Sequence, residues 1–190
     1  MTPIRRYTRT AITLHWIIAL AMIANVLLVW SVDYVGESRE RAVIDLHKSI
    51  GITVLGLALL RLLWRYAHRP PTLPESYARW EKTASHVAHG ALYLLMLGLP
   101  LSGWLHDSAW KDAATHPMSL YNLIPWPRIG WVMNAEPAYR ERLHDLFGNL
   151  HGLLAYGLYA LLALHVAAAL KHQFIDGEPE LQRMRFGGKG

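Results

Sequence analysis

Apolar residues gather in four stretches, each long enough to cross a bilayer as a helix. Ala11–Val32 runs for 22 residues without Asp, Glu, Lys or Arg. Ala84–His106 does so for 23 and Phe147–Leu170 for 24. At about 1.5 Å per residue each exceeds a hydrocarbon core of about 30 Å. The remaining stretch, Asp45–Arg65, carries Lys48 near one end and Arg61 near the other. Both side chains can snorkel to an interface from those positions. The pattern predicts an all-α, membrane-embedded four-helix bundle. The first stretch is longer than a signal-peptide core and lacks a small-residue cleavage site, so it is expected to remain as a helix.

Between the spans, Pro70, Pro71 and Pro74 end the second helix by His68. The segment 107–146 reads as a long loop with Trp110, Trp126 and Trp131, a residue type that favours the membrane–water interface. Asn134-Ala-Glu-Pro137 has the form of a helix start. The fourth helix is therefore expected to begin near 137, outside the span, and to end before Gly177 and Pro179.

Composition agrees with a membrane protein: 53% of residues are hydrophobic and 17% charged, against about 25% charged in soluble domains. The net charge of +5 follows topology. Arg5, Arg6 and Arg9, then Arg61, Arg65, Arg69, Arg79 and Lys82, then Lys171, Arg183, Arg185 and Lys189 fall on one side, twelve in all. Seven lie on the other: Arg39, Arg41, Lys48, Lys111, Arg128, Arg140 and Arg142. With acids included the sides carry +7 and −2. Both termini are expected in the cytoplasm. No basic stripe carries interleaved aromatics, so nucleic acid is not an expected partner. Cysteine is absent, which removes disulfides, thiolate-held iron–sulfur clusters and covalent haem attachment.

Histidine is the unusual ingredient. Eleven occur, and His15, His47, His86, His89, His106, His151 and His165 lie in or at the spans. Ionisable groups inside a bilayer point to function. His15 and His165 sit roughly 6 and 7–8 Å inside the cytoplasmic ends of spans one and four. His47 opens span two, and His151 lies 4 residues into span four, at the opposite surface. His151 and His165 are 14 residues apart, which keeps them within about 40° on one helix face and separates them by roughly 21 Å. One helix thus presents an imidazole near each surface. Histidines at matching depth on neighbouring helices would complete two bis-histidine haem sites, as cofactor sites are built in bundle cores. A zinc site would need three or four ligands at one level, without Cys and with a carboxylate; the spans hold no internal Asp or Glu. His89 is as deep as His165, so depth alone leaves both His15 and His89 as its partner. Gly51, Gly148, Gly152 and Gly157 admit close approach of a flat macrocycle or of another helix.

Five segments carry a family resemblance: Tyr7-Thr8-Arg9 with Leu14-His15-Trp16; Leu46-His47-Lys48-Ser49-Ile50-Gly51; Ala88-His89-Gly90 with Leu92-Tyr93; Leu150-His151-Gly152; and Leu164-His165-Val166-Ala167-Ala168-Ala169-Leu170-Lys171-His172. On these the chain resembles the bacterial cytochrome b561 family, related to the cytochrome b subunits of nickel–iron hydrogenases. The resemblance implies an inner-membrane protein with two haems b. His15 and His165 would ligate the cytoplasmic-side haem, His47 and His151 the periplasmic-side one. It implies electron exchange between a membrane quinone such as ubiquinone and a second redox partner, in one branch superoxide. His89, His172, Lys171 and Arg61 are candidates for contact with the quinone head or haem propionates, and Lys48, beside His47, for a propionate or an incoming anion. The net −2 of the outer side gives no overall attraction to superoxide. Two other readings stay open: a haem-b relay for a soluble dehydrogenase or hydrogenase, docked on the 107–146 loop, and a non-redox membrane protein with histidines in polar packing.

Overall fold

The computed structural model describes residues 6–187; Arg5 and Lys189 of the charge count lie outside them. Four long helices carry the apolar stretches: α1 (Arg9–Ser31), α2 (Glu37–Ala67), α3 (Arg79–Ser108) and α5 (Pro137–Phe174). All four are long and apolar enough to cross a membrane. A short hairpin, β1 (Ser119–Leu120) with β2 (Ile124–Pro125), and α4 (Gly130–Met133) lie between α3 and α5, and α6 (Glu180–Arg183) follows α5.

Local chemistry sets the ends. Thr8 Oγ1 caps α1 by accepting from the Ala11 N–H at 3.2 Å. At α5, Pro137 occupies the first turn and the Glu136 carboxylate accepts from the Ala138 and Tyr139 N–H groups. With 38 residues, α5 is about 57 Å long and overshoots a bilayer at its N-terminal end. There Leu143 packs with Ala109 and Val132 in a small core of its own. The segment between α3 and α5 is therefore 109–136, twelve residues shorter than the 107–146 stretch that the apolar pattern alone suggests.

Helix α1 packs on α2, α2 on α3, and α3 on α5. Among the described residues no Cα of α1 lies within 8 Å of α5, so that flank of the bundle is held open. Ile18, Val54, Ala58 and Met96 form the central core. Outward positions are apolar too: Leu20, Leu63, Val87, Leu94, Leu153 and Leu164 are more than 60% exposed, as lipid-facing positions are.

Both chain ends meet the α2–α3 link at one end of the bundle. Arg183 of α6, buried, donates to the Pro71 and Thr72 carbonyls and to Glu180. The Tyr7 N–H reaches the Arg183 carbonyl at 3.3 Å, and Trp16 Nε1 donates to the Met184 carbonyl at 2.9 Å. We call this the terminal end and the opposite one, with the hairpin and α4, the loop end.

Candidate functional site

Two histidine pairs bridge the bundle, one above and one below the central core. Near the loop end, His47 of α2 and His151 of α5 have ring centroids 6.1 Å apart. Near the terminal end, His15 of α1 and His165 of α5 are 6.4 Å apart. A metal–imidazole bond is about 2 Å, and a ring centre lies about 1 Å behind its nitrogen, so rings on opposite sides of one metal ion stand about 6 Å apart. Both pairs fit that separation. His89 of α3 is also at the terminal-end level, 5.4 Å from His165, closer than two rings sharing an ion.

Backbone carbonyls orient the loop-end rings. His47 Nδ1 donates to the Asn25 carbonyl at 3.3 Å and His151 Nδ1 to the Leu99 carbonyl at 3.0 Å. A carbonyl only accepts, so Nδ1 carries the proton and Nε2 is left with its lone pair, the state a metal ligand requires. Ser102 Oγ donates to the same Leu99 carbonyl and lies 3.1 Å from His151 Nδ1. The His15 Nδ1 and Asn25 Oδ1 atoms are buried with no hydrogen-bond partner among the described residues.

The loop-end pair faces a cavity of about 890 Å3, within the about 300–1,000 Å3 range of cofactor pockets. Its deep half is apolar, with Met22, Val26, Val54 and Met96; Gly51 and Gly152 form flat parts of the wall. A Cβ on Gly152 would meet nothing within 4 Å, whereas one on Gly103 would stand 3.1 Å from His151 Cε1. Gly103 is thus what lets the His151 ring lie against α3. Gly148 has a different task from its neighbour Gly152: its Cβ would come 2.9 Å from the His106 ring, so it admits a side chain of α3, not a macrocycle.

A family model, described as prokaryotic cytochrome b561, matches residues 6–187. The chain belongs to that family. This cytochrome b561 is 34% identical over 187 residues to cytochrome b561 homolog 2 of Escherichia coli strain K12, covering 96% of this chain and 92% of the relative. It is 27% identical over 189 residues to a protein named probable superoxide oxidase CybB of Yersinia pestis, covering 95% and 96%. A protein named cytochrome b562 of Cereibacter sphaeroides is 34% identical over 190 residues, covering 97% and 98%. The cytochrome b561 is accordingly a multi-pass membrane electron-transfer protein of a haem-b family. The reading as a non-redox membrane protein gives way to that membership.

The remaining candidates of this cytochrome b561 separate into two groups. Lys48 and Arg61 stay near the histidine pairs. Lys48 lines the cavity, paired with Asp45 at 2.6 Å and Asp107 at 3.1 Å; Arg61 lies over the Tyr93 ring. Lys171 and His172 instead close the terminal end. Lys171 Nζ donates to Asp176 at 2.6 Å and to Glu81 at 3.2 Å, and His172 hydrogen-bonds Asp176 and stacks on Tyr77 at 4.3 Å. The Lys171 hydrogen bond holds the Asp176 carboxyl below the usual carboxylate range. His86 is exposed, its Nδ1 donating to the Lys82 carbonyl.

Sequence reasoning passed over Asn25, Ser102, Gly103 and His144. Asn25 is the lone amide in a charge-free span, a usable signal. His144 lies two turns before His151 on one face of α5. It stacks on His106 at 3.9 Å, and each Nδ1 donates to the other's backbone carbonyl.

Proposed function

We propose that this cytochrome b561 is a quinone-linked di-haem electron carrier. His47 and His151 hold one haem b near the loop end, and His15 and His165 a second near the terminal end. The carrying observation is the repeat of one spacing: two histidine pairs, 6.1 and 6.4 Å apart, set 14 residues apart along α5. The 5.4 Å separation of His89 from His165 favours His15 as the inner partner. The excess of Lys and Arg at the terminal end supports a cytoplasmic position for both termini and a periplasmic position for the loop end.

Bis-histidine haem supplies a one-electron iron couple whose axial positions are closed to substrate. The protein's own groups then divide the work. The carbonyls of Asn25 and Leu99 fix the outer imidazole tautomers and raise the basicity of the ligating nitrogens. The central core of Ile18, Val54, Ala58 and Met96 keeps water from the space between the levels. At the inner level His89 donates its Nδ1 proton to the Ser85 carbonyl at 2.6 Å. That leaves Nε2 to accept a hydrogen bond or proton, the role of a group beside a quinone head, with Arg61 as the neighbouring cation. Lys171 and His172, engaged with Asp176, are secondary candidates for that contact.

Superoxide is the donor suggested by the name of the Yersinia relative. The charges at the cavity mouth oppose a general anion funnel: Arg41 and Lys48 are matched by Glu37, Glu40 and Asp107 on the same wall, and both cations pair with Asp45. That balance favours the second reading, in which the loop end receives electrons from a soluble redox partner.

A redox-titrated absorption spectrum of the purified protein, with haem quantitation, tests the main reading. Two b-type haems per chain are expected; one or none overturns it. Stopped-flow mixing with superoxide, with and without ubiquinone, separates the donors: reduction above background supports superoxide, and none leaves the relay.

A further inference from the structure

The segment between α3 and α5 folds inward instead of reaching into water. Strands β1 and β2 pair with Ser119 opposite Pro125 and Leu120 opposite Ile124. Tyr121 and Asn122 turn the chain with φ of 53° and 55°, the left-handed pair that a tight hairpin turn needs. Asn adopts this conformation readily, but tyrosine does not, so contacts outside the turn must hold Tyr121 there. Two polar side chains of α2 do so. The Tyr121 N–H donates to Ser49 Oγ at 2.9 Å, and the Tyr121 hydroxyl meets Thr53 Oγ1 at 2.7 Å.

Those partners set the depth. Ser49 and Thr53 are one and two turns beyond Asp45, about 6 and 12 Å further along α2 towards the bilayer centre. The polar rim is marked by Lys48 with Asp107, and the base of the hairpin by Trp126 against Trp104 at 5.8 Å. Tip and base therefore lie together just below the rim, level with the first turns of the apolar span of α2.

Its two faces differ as an embedded element requires. Inward, Met118 and Leu120 are buried with Ile52, Trp104 and Trp126, and Met118 lines the loop-end cavity. Outward, Leu123 is 81% exposed and Ile124 57%. Protein groups satisfy three backbone donors of the hairpin: the Tyr121 N–H through Ser49, the Leu123 N–H through the Leu120 carbonyl at 2.9 Å, and at the base the Trp126 N–H through the Met118 carbonyl at 3.0 Å. Non-helical backbone is tolerated at membrane depth only when so satisfied and packed on protein. The Asn122 side chain is exposed, which suits the glycerol and headgroup boundary, about 5–10 Å deep, where interfacial elements lie.

We propose that the 118–126 hairpin is a lipid-embedded element. Leu123 and Ile124 contact phospholipid acyl chains, while behind them Met118 completes the cavity wall and Leu120 packs on Ile52. This rests on the multi-pass membrane architecture and not on the haem assignments.

The natural chain has no cysteine, so single labels report without background. Nitroxides are placed by L123C and I124C in the full chain in phosphatidylethanolamine–phosphatidylglycerol vesicles, with L94C on the lipid face of α3 and K111C in the exposed loop as references. Collision with oxygen, which partitions into lipid, is compared with collision with a water-soluble nickel chelate. The oxygen-to-nickel ratio at 123 and 124 is expected to exceed that at position 111 severalfold and to stay below that at position 94, which lies at the middle of α3. A ratio equal to that at 111 overturns the proposal, as does loss of both collisions, which would mean that protein or a second copy covers the tip. The two labels sit in different parts of the hairpin, the turn and β2, so misfolding of one variant leaves the other to decide.

Discussion

Alanine at position 103 asks how closely the outer histidine must be held. The new Cβ would stand 3.1 Å from His151 Cε1 and 3.2 Å from Nδ1, where ordinary contacts begin at 3.4 Å. The ring must retreat by about 0.3 Å, more than the about 0.2 Å by which metal–ligand distances vary. It cannot simply swing away, because Nδ1 is tied to the Leu99 carbonyl at 3.0 Å. Overpacking of this kind costs roughly 1–3 kcal/mol, which is about 5- to 150-fold in affinity. We therefore expect Gly103→Ala to release the outer haem faster, by about that factor, to an excess of a haem-accepting apoprotein. The inner haem should be unchanged. Gly56→Ala is the control, since its Cβ would meet nothing within 4 Å. Equal release of both haems, or a rate matching the Gly56 control, would refute the claim that His151 is a ligand positioned by Gly103.

Replacing His165 by Ala should halve the haem-to-protein ratio, as should His15→Ala, while His89→Ala keeps both haems; loss of a haem in the His89 variant alone would move the inner ligand to α3. Ser49→Ala leaves the Tyr121 N–H without its acceptor. An unsatisfied buried donor costs about 1–3 kcal/mol, so a lowered Tm and faster proteolysis in the 119–125 hairpin are expected. Asp176, held low chiefly by the Lys171 hydrogen bond, adds stability above the ordinary carboxylate range and loses it as pH falls through its lowered value. The Tm gap between the protein and Asp176→Asn should therefore be constant near neutrality and close below about pH 4; a gap independent of pH down to 2 would contradict the ion pair.

Much of the site was legible because it lies along one helix. A 14-residue interval and a period of 3.6 suffice to place His151 and His165 on one face, whatever the rest of the chain does. The glycines were not legible in the same way. Gly148 and Gly152 read alike in sequence, yet one receives the His106 ring and the other opens into the cavity, because only the approach of α3 tells them apart. Lys171 and His172 stood next to His165 in the chain, but Asp176 and Glu81 draw them to the helix end.

What the amino-acid order determined by itself was the set of four apolar spans, the uneven distribution of Lys and Arg, and the levels at which imidazoles stand. These are local quantities, counted in residues along a helix or in charge between spans. The tertiary structure decided which rings face one another, which ring nitrogens keep a proton, and where the 109–136 segment goes. Each depends on groups brought together from remote parts of the chain. Asn25 reaches His47 and Leu99 reaches His151 only once the helices have packed, and the hairpin lies against α2 because Tyr121 meets Ser49 and Thr53 there.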